Sequence, residues 1–265
     1  MSLRNNHSRP GMIKATLLSM VVSFAGCFTP RFSPVGDSRG AEESMQICRD
    51  IMTQRKEAAS LRVLADATLR RGSEAISFRY AIVHKAPDSF RVDILPPTGA
   101  FTLGLFVFHN GRALWLDSHE KTFSEAEGES DLFERFIGLP GITRPVVEGL
   151  LYGTVPRFEC SKVRAYQQAN GDVLLVDSAS HVGWRVMQKT PRVREVFVLD
   201  TSEDRIAVKG HIEYSTGMVP QRLELEVFSP VEASGELYLT KVVENPKLPD
   251  SLFEVALPAN YERVD

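Results

Sequence analysis

The chain has 265 residues, of which 43% are hydrophobic and 25% are charged, with 18 glycines and 15 prolines. This composition is typical of a globular protein with a substantial apolar core, and it excludes intrinsic disorder, collagen and a coiled coil. Because 31 basic residues stand against 34 acidic ones, the formal charge of −3 provides no strong basic field, and we expect no nucleic-acid partner.

The first 26 residues have the pattern of an export signal. Three basic residues precede an apolar stretch at residues 15–25, which is too short to span a membrane. Small residues and then Cys27 follow, and this ending resembles the lipobox of bacterial lipoproteins, although Phe24 stands where that pattern usually has leucine. The resemblance implies cleavage before Cys27 and attachment of acyl chains to it. The alternative is a plain secretory signal cleaved elsewhere.

Residues 27–41 are rich in proline, serine and glycine, which predicts a flexible linker ahead of a single domain at residues 42–265. Cys27 is followed by Phe28, whereas an aspartate at that place retains lipoproteins of enteric bacteria in the inner membrane. We therefore expect a protein that is lipid-anchored on the periplasmic face of the outer membrane.

A helix and then a series of strands open the domain. Apolar residues spaced by three and four predict an amphipathic helix at about residues 43–59. From residue 61 onward apolar and polar residues alternate, which predicts β-strands, and Asn110 with Gly111 is a strong hairpin signal. The pattern predicts about ten antiparallel strands.

Two short apolar helices, predicted at about residues 130–137 and 145–152, interrupt the strands. A barrel of eight strands is just wide enough for side chains to fill, so about ten twisted strands either open or enclose a cavity. With the helix at 43–59, these helices could cover the concave face. The sequence thus predicts a mainly β, α+β domain, an unclosed antiparallel β-barrel with a helical lid and a hydrophobic ligand site.

Two cysteines remain besides Cys27, and their state is open. Cys48 and Cys160 could form a disulfide in an oxidising periplasm. The slightly favoured alternative is two separate buried thiols, because Cys48 lies in the predicted helix beside other apolar residues.

Several segments, in this order, resemble the LolB family of outer-membrane lipoprotein receptors. They are DSFRVDILPPTG at 88–99, NG at 110–111 with ALWL at 113–116, FIGLP at 136–140 and LLYG at 150–153. The tail LPDSLFEVALP at 248–258 is similar to the ending of the LolA family of periplasmic carriers. The likeness covers about residues 42–190. It implies an open barrel with a helical lid that receives the acyl chains of lipoproteins from a LolA-like carrier.

One departure from this family lies in a loop. LolB-like receptors carry a bulky apolar residue in the loop that matches residues 96–99, where it helps to release the cargo into the membrane. Here Thr98 stands at that position, and the nearby Phe101 could substitute for it.

The site residues follow from the expected cavity. Each buried methylene is worth about 0.8 kcal/mol, so acyl chains that cross the periplasm need shelter. We expect the lid to contribute Phe133, Phe136, Val147 and Leu151. The inward-facing strand residues are expected to be Phe78, Tyr80, Phe90, Val92, Ile94, Leu105, Val107, Leu114 and Leu116.

Enzymatic functions have little support in the sequence. It contains no nucleophile elbow, zinc-protease helix, phosphate-binding loop or paired-cysteine redox motif. His109 and His119 flank one hairpin and could meet Asp117 or Glu120 at a metal, but single scattered histidines more often lie on the surface. We expect no enzymatic activity, cofactor or metal. The alternative to a lipid receptor is a structural or envelope-assembly lipoprotein whose packed barrel binds a protein partner.

Overall fold

The computed structural model describes residues 30–34, 36–55, 58–128, 132–139, 141–157, 159–200, 205–215, 219–229 and 231–264. The expected signal at residues 1–26 and Cys27 lie outside these ranges. Within them, none of the helices combines the length and the apolar character that crossing a membrane requires.

Strands dominate the described residues, and three α-helices accompany them there. The helices are α1 (Ala41–Thr53), α2 (Leu132–Ile137) and α3 (Arg144–Tyr152), and two 3-10 turns lie at Cys160–Lys162 and Asp250–Leu252. The strands are β1 (Asp37–Ser38), β2 (Ser60–Arg71), β3 (Glu74–Lys85), β4 (Ser89–Leu95), β5 (Gly104–His109), β6 (Arg112–Asp117), β7 (Thr122–Glu127), β8 (Val163–Gln167), β9 (Asp172–Asp177), β10 (Val182–Met187), β11 (Arg192–Leu199), β12 (Ile206–Glu213), β13 (Arg222–Val227), β14 (Ala233–Glu244) and β15 (Glu262–Arg263).

All these strands form one 15-stranded sheet in the order β1-β8-β9-β10-β11-β12-β13-β14-β2-β3-β4-β5-β6-β7-β15. Neighbours are antiparallel except β7 and β15, which are parallel. The two ends of the sheet, β1 and β15, do not pair with each other, so the barrel is unclosed, as predicted. The sheet has more strands than the ten or so expected, and two of the extra strands, β1 and β15, have only two residues each and show no alternation.

Successive side chains along each strand point alternately to the concave inner face and to the outer face of the sheet. In β2, Leu61, Val63 and Ala65 are buried while Arg62 between them is exposed. The same parity continues across β3, where Val63 pairs with Ile82. This face is the concave one, since α2 and α3 pack against the cluster that contains these residues.

The concave face of β8–β11 is filled. Trp184 in β10 is fully buried in a cluster that includes Cys48 and Ile51 of α1. Cys48 and Cys160 form a disulfide with an S–S distance of 1.99 Å, which decides between the two alternatives left open by the sequence. The bridge links residues 112 positions apart. In the chain-entropy model, closing a loop of that length stabilises the folded state by about 5 kcal/mol. Helix α1 is thereby fastened to the start of β8.

The C-terminal segment covers part of the outer face. Leu248 and Phe253 are buried against Leu105 and Leu116. The guanidinium of Arg91 donates a hydrogen bond of 2.8 Å to the carbonyl of Leu252. Strands β5 and β6 are therefore covered on both faces.

The segment expected as a flexible linker at residues 27–41 is instead partly attached to the sheet. Asp37 and Ser38 form β1 on the edge of β8, and Arg31 bridges to Arg205. The ring of Phe32 lies 6.1 Å from that of Phe197. The ring of Phe197 and the free edge of β8 provide contacts for this segment. A proline- and glycine-rich composition predicts a linker because it carries no information about such distant contacts.

Candidate functional site

An apolar cavity of about 470 Å³ lies between the concave face of the sheet and the helices α2 and α3. Ligand sites in proteins occupy roughly 300–1,000 Å³, so the space suits a small apolar ligand or one acyl chain. Six central strands, β12, β13, β14, β2, β3 and β4, supply its walls. The apolar and aromatic wall residues are Ala67, Leu69, Ile76, Tyr80, Ile82, Val92, Ile212, Leu223, Leu225, Val227, Ala233, Leu237 and Leu239.

Two short helices and the loop between them form the roof. Helix α2 ends before Gly138, whose φ of 72° suits a residue without a side chain. Helix α3 has Pro145 in its first turn and ends at Gly153 with a left-handed φ of 66°. The roof residues that line the cavity are Phe133, Ile137, Gly138, Leu139, Ile142, Val147, Leu150 and Leu151.

The cavity is closed at one end and open at the other. Along β2 the exposed fraction rises from 5% at Ala67 to 45% at Leu69, and along β3 it rises from 5% at Ile82 to 56% at Ile76. Both increases run toward the turn that joins β2 and β3. Leu69 and Ile76 are cross-strand partners, so two exposed apolar side chains form one wall of the mouth.

A buried polar cluster holds α3 on the sheet. The ring of His84 in β3 is hydrogen-bonded through Nδ1 to the hydroxyl of Tyr152 at 2.6 Å. Its Nε2 lies 3.6 Å from Oε1 of Glu148, which also pairs with Arg144 one helical turn earlier. The guanidinium of Arg144 stacks over the ring of Phe108 at 4.4 Å. These contacts fix α3 to strands β3 and β5.

Burial dominates the electrostatics of this cluster. Desolvation, together with the positive charges of Arg144 and Arg55, lowers the pKa of His84 to about 4, so its ring is neutral at pH 7. Glu148 does not reverse this effect because it is already paired with Arg144. Desolvation also raises the pKa of Glu148 and lowers the pKa of Arg55 to about 10.

The nine predicted cavity residues have four different outcomes. Tyr80 and Val92 line the cavity. Phe90 and Ile94 belong to the neighbouring packed cluster, where the rings of Phe90 and Phe133 lie 5.9 Å apart. Phe78 is half-buried and is not part of the lining, although it has the same parity as Tyr80.

Four of the predicted cavity residues are on the wrong face. Leu105, Val107, Leu114 and Leu116 lie on the outer face, in or against the cluster under the C-terminal segment. The inward residues of β5 and β6 are their neighbours Phe106, Phe108, Ala113 and Trp115. Because both faces of β5 are buried, alternation could not reveal which face is concave.

The lid predictions are more accurate, with two corrections. Phe133, Val147 and Leu151 line the cavity. Phe136 instead packs on Phe106, with ring centroids 5.4 Å apart. The helix expected at 43–59 is α1, and it contributes no residue to this cavity because it lies over the filled half of the sheet.

Sequence reasoning missed the wall supplied by β12–β14. Leu223, Leu225 and Val227 alternate with charged residues, as do Leu237 and Leu239 with polar ones. This alternation indicates strands with one apolar face. Placing these strands on the cavity required the pairing of β14 with β2, which joins residues far apart in the chain.

The loop between β4 and β5 lies apart from the cavity lining. Thr98 is exposed, and Phe101 is 60% exposed. A bulky apolar side chain, Phe101, is therefore exposed near the position of Thr98 that the resemblance singled out.

The structure contains a serine–histidine pair on the outer face. Nδ1 of His109 lies 2.8 Å from Oγ of Ser89, while Nε2 accepts a hydrogen bond of 3.0 Å from the amide of Asn110. The ring of His109 also stacks on Phe253, and the pair fastens the C-terminal segment.

The described residues contain no group of three or more histidine, cysteine or acidic side chains placed to hold a metal. The suggested pairing of His109 with His119 is not formed. His119 is largely exposed and lies 3.7 Å from Glu120.

No family model and no curated protein matches the chain. Among solved structures, a DUF1329 family protein from Desulfovibrio piger ATCC 29098 superposes with a TM-score of 0.60 at 11% identity, over 81% of this chain and 97% of that one. A candidate outer membrane lipoprotein-sorting protein domain from Vibrio parahaemolyticus gives 0.58 at 12% identity, over 81% and 97%. A LolA superfamily protein from Nitrosomonas europaea gives 0.53 at 14% identity, over 80% and 97%.

At these identities the likeness is one of fold. It agrees with the open sheet, the covering helices and the resemblance seen in the sequence, and it does not single out the LolB family among its relatives. The chain therefore has an α+β open-barrel fold that is similar to the fold of the LolA superfamily protein.

Proposed function

We propose that the protein is a non-enzymatic lipid-binding protein that takes acyl chains into the cavity beneath α2 and α3. The observation that carries this proposal is the apolar space of about 470 Å³ with an open mouth. A structural lipoprotein with a fully packed barrel, the alternative, would need no such space.

The energetic case rests on the hydrophobic effect. A 16-carbon chain in water costs on the order of 12 kcal/mol, at about 0.8 kcal/mol per methylene. Leucine, isoleucine and valine side chains on both walls and roof offer it an environment close to that of a bilayer interior. The open mouth at Leu69 and Ile76 already provides an entrance for a chain.

The more specific form of the proposal is a lipoprotein receptor similar to LolB. Cys27 would anchor it to the outer membrane, and a LolA-like periplasmic carrier would deliver acylated lipoproteins to it. The family-like segments, the superfamily fold and the lipoprotein-sorting domain among the similar structures support this form. Phe101, exposed in the β4–β5 loop, is suited to contact a membrane during transfer.

A cavity-filling substitution tests the proposal. Ala67 points into the cavity, so Ala67→Trp should place an indole in the space and weaken binding of a fluorescent 16-carbon fatty acid by about tenfold or more. Ala256→Trp is the matched control because Ala256 is exposed, lies in the C-terminal segment and does not line the cavity. Leu225→Gln, at a half-buried wall position, provides a second variant if the larger change prevents folding. Fatty-acid binding that survives both cavity variants would contradict the proposal.

The anchoring is tested separately. Cys27→Ala should abolish incorporation of radiolabelled palmitate and release the protein from the membrane fraction. Labelling of the variant at the wild-type level would refute lipidation at Cys27 without affecting the cavity.

A further inference from the structure

The charged residues of the cavity lining are all near its mouth. Arg70 and Arg71 end β2, and Glu74 begins β3 across the turn. Glu236 lies on the adjacent strand β14, paired with Thr68. The closed end, by contrast, is formed by side chains such as Ile82 and Val92 that are at most 5% exposed. The site is therefore amphiphilic along its length.

The charges at the mouth are not equally available. The carboxylate of Glu236 lies 3.4 Å from the guanidinium of Arg222, which also contacts Glu224 and Glu213. Within the described part of the chain, Arg70 and Arg71 form no salt bridge or side-chain hydrogen bond, and neither does Glu74. Arg70 and Arg71 are thus the guanidinium groups of the lining that no carboxylate of the described residues engages.

We infer that the ligand is an amphiphile with an anionic head group, a carboxylate or a phosphate, which binds at Arg70 and Arg71 while its acyl chain occupies the cavity. This inference rests on the acyl-chain binding proposed above rather than on its lipoprotein-receptor form, and it specifies the ligand class of the same site. The head group lies at the mouth because burying it at the apolar closed end would leave a charge without a partner. Guanidinium groups suit it because their planar donors bind carboxylate and phosphate oxygens in pairs.

The position of the arginines fits this geometry. Arg71 follows Leu69 by two residues, so it lies on the same face of β2, opposite Glu74, while Arg70 lies between them near the hairpin tip. An acyl chain that leaves the cavity along Leu69 and its partner Ile76 reaches the arginines within one or two residues of the hairpin tip. The apolar wall would therefore contact the acyl chain, and the arginines beyond it would contact the head group.

Three ligands with the same 16-carbon tail test the inference: palmitate, palmitoyl lysophosphatidate and neutral monopalmitoylglycerol. Their affinities for the full-length protein are measured by displacement of a neutral hydrophobic dye. We expect at least one anionic ligand to bind about threefold to tenfold more tightly than the neutral one at low salt, since exposed charge pairs contribute modestly. The preference should shrink as salt is added. Which anionic ligand binds better identifies the head group as fatty acid or lipid phosphate.

The matched variants are Arg70→Gln with Arg71→Gln, and Arg62→Gln. Arg62 is an exposed arginine on the same strand that does not line the cavity. The double variant should bind all three ligands with the affinity of the neutral one, while the Arg62 variant should behave as wild type.

The outcomes separate this inference from the proposed function. Equal binding of all three ligands by the wild type, or an unchanged preference in the double variant, would overturn the head-group inference and leave acyl binding intact. Failure of every ligand to displace the dye would overturn the proposed function itself.

Discussion

The two halves of the concave face differ although they belong to one sheet. Over β8–β11 the face is filled by Trp184 and by α1, which the Cys48–Cys160 disulfide fastens in place. Over the six neighbouring strands β12, β13, β14, β2, β3 and β4 the face is hollow beneath the short helices α2 and α3. The same strand geometry thus supports a packed core and a ligand cavity side by side.

Side-chain size and helix length account for the difference. The filled half has a large indole beneath a 13-residue helix, whereas the hollow half has small residues, Ala67, Ala233 and Gly235, on adjacent strands beneath helices of six and nine residues. Small side chains beneath short helices cannot fill the concave space that the curved sheet encloses. Curvature creates the space, and residue choice determines whether it is filled.

The largest expected effect is in the filled half. Trp184→Ala should lower the free energy of unfolding by about 3–5 kcal/mol, the range for large aromatic residues in packed cores. Trp184 is fully buried, and its indole nitrogen has no hydrogen-bond partner among the described residues, so the loss is one of packing. Urea denaturation followed by circular dichroism measures it. A loss below about 1 kcal/mol would show that this half is not tightly packed.

The second effect concerns the polar cluster that holds the roof over the hollow half. The pKa of His84 is about 4 in the folded protein and 6.5 in an unfolded chain, so between these pH values the unfolded chain binds a proton that the folded protein does not. Stability from the neutral ring is complete above pH 6.5 and should fall by about 3 kcal/mol as the pH drops to 4. The measurement is urea denaturation at several pH values.

The control for this prediction is His84→Asn, which retains a polar group near Nδ1 but does not titrate. The variant should lose less stability than the wild type between pH 6.5 and 4. The raised pKa of Glu148 acts in the opposite sense, so the comparison between the two proteins matters rather than either curve alone. Parallel curves for the two proteins would contradict the assignment.

The smallest effect is expected on the cavity wall. Leu225 is half-buried and already borders open space, so Leu225→Ala removes few contacts and should cost about 1 kcal/mol or less. The same urea series reports it beside Trp184→Ala. A cost similar to that of Trp184→Ala would mean that the hollow half is as tightly packed as the filled one.

The strands and short helices could be predicted from the sequence because their signals are local. Alternation along β2, the hairpin at Asn110 and the exit of α3 at Gly153 all depend on neighbours a few residues away. Phe133, Val147 and Leu151 were assigned to the lid because apolar residues on short helices must be buried against something.

The face of β5 and β6 could not be predicted from alternation. Leu105 and Leu116 are as apolar as Phe106, and the C-terminal residues Leu248 and Phe253 cover them from outside. A strand buried on both faces has no polar side to mark its orientation. Successive residues of a strand point to opposite faces, so choosing the wrong alternate residues as inward-facing exchanges the two faces. For this reason four predicted cavity residues lie on the outer face.

The sequence by itself determined the class of fold, the unclosed antiparallel sheet and the two roof helices, because each is encoded by the spacing of apolar residues and turn signals. Only the tertiary structure decided that Cys48 and Cys160 pair, that α1 lies away from the cavity, and that β12–β14 form half of its wall. Those features depend on contacts between residues more than 100 positions apart, such as the pairing of Leu237 with Ala67, and no local pattern records which distant segments meet.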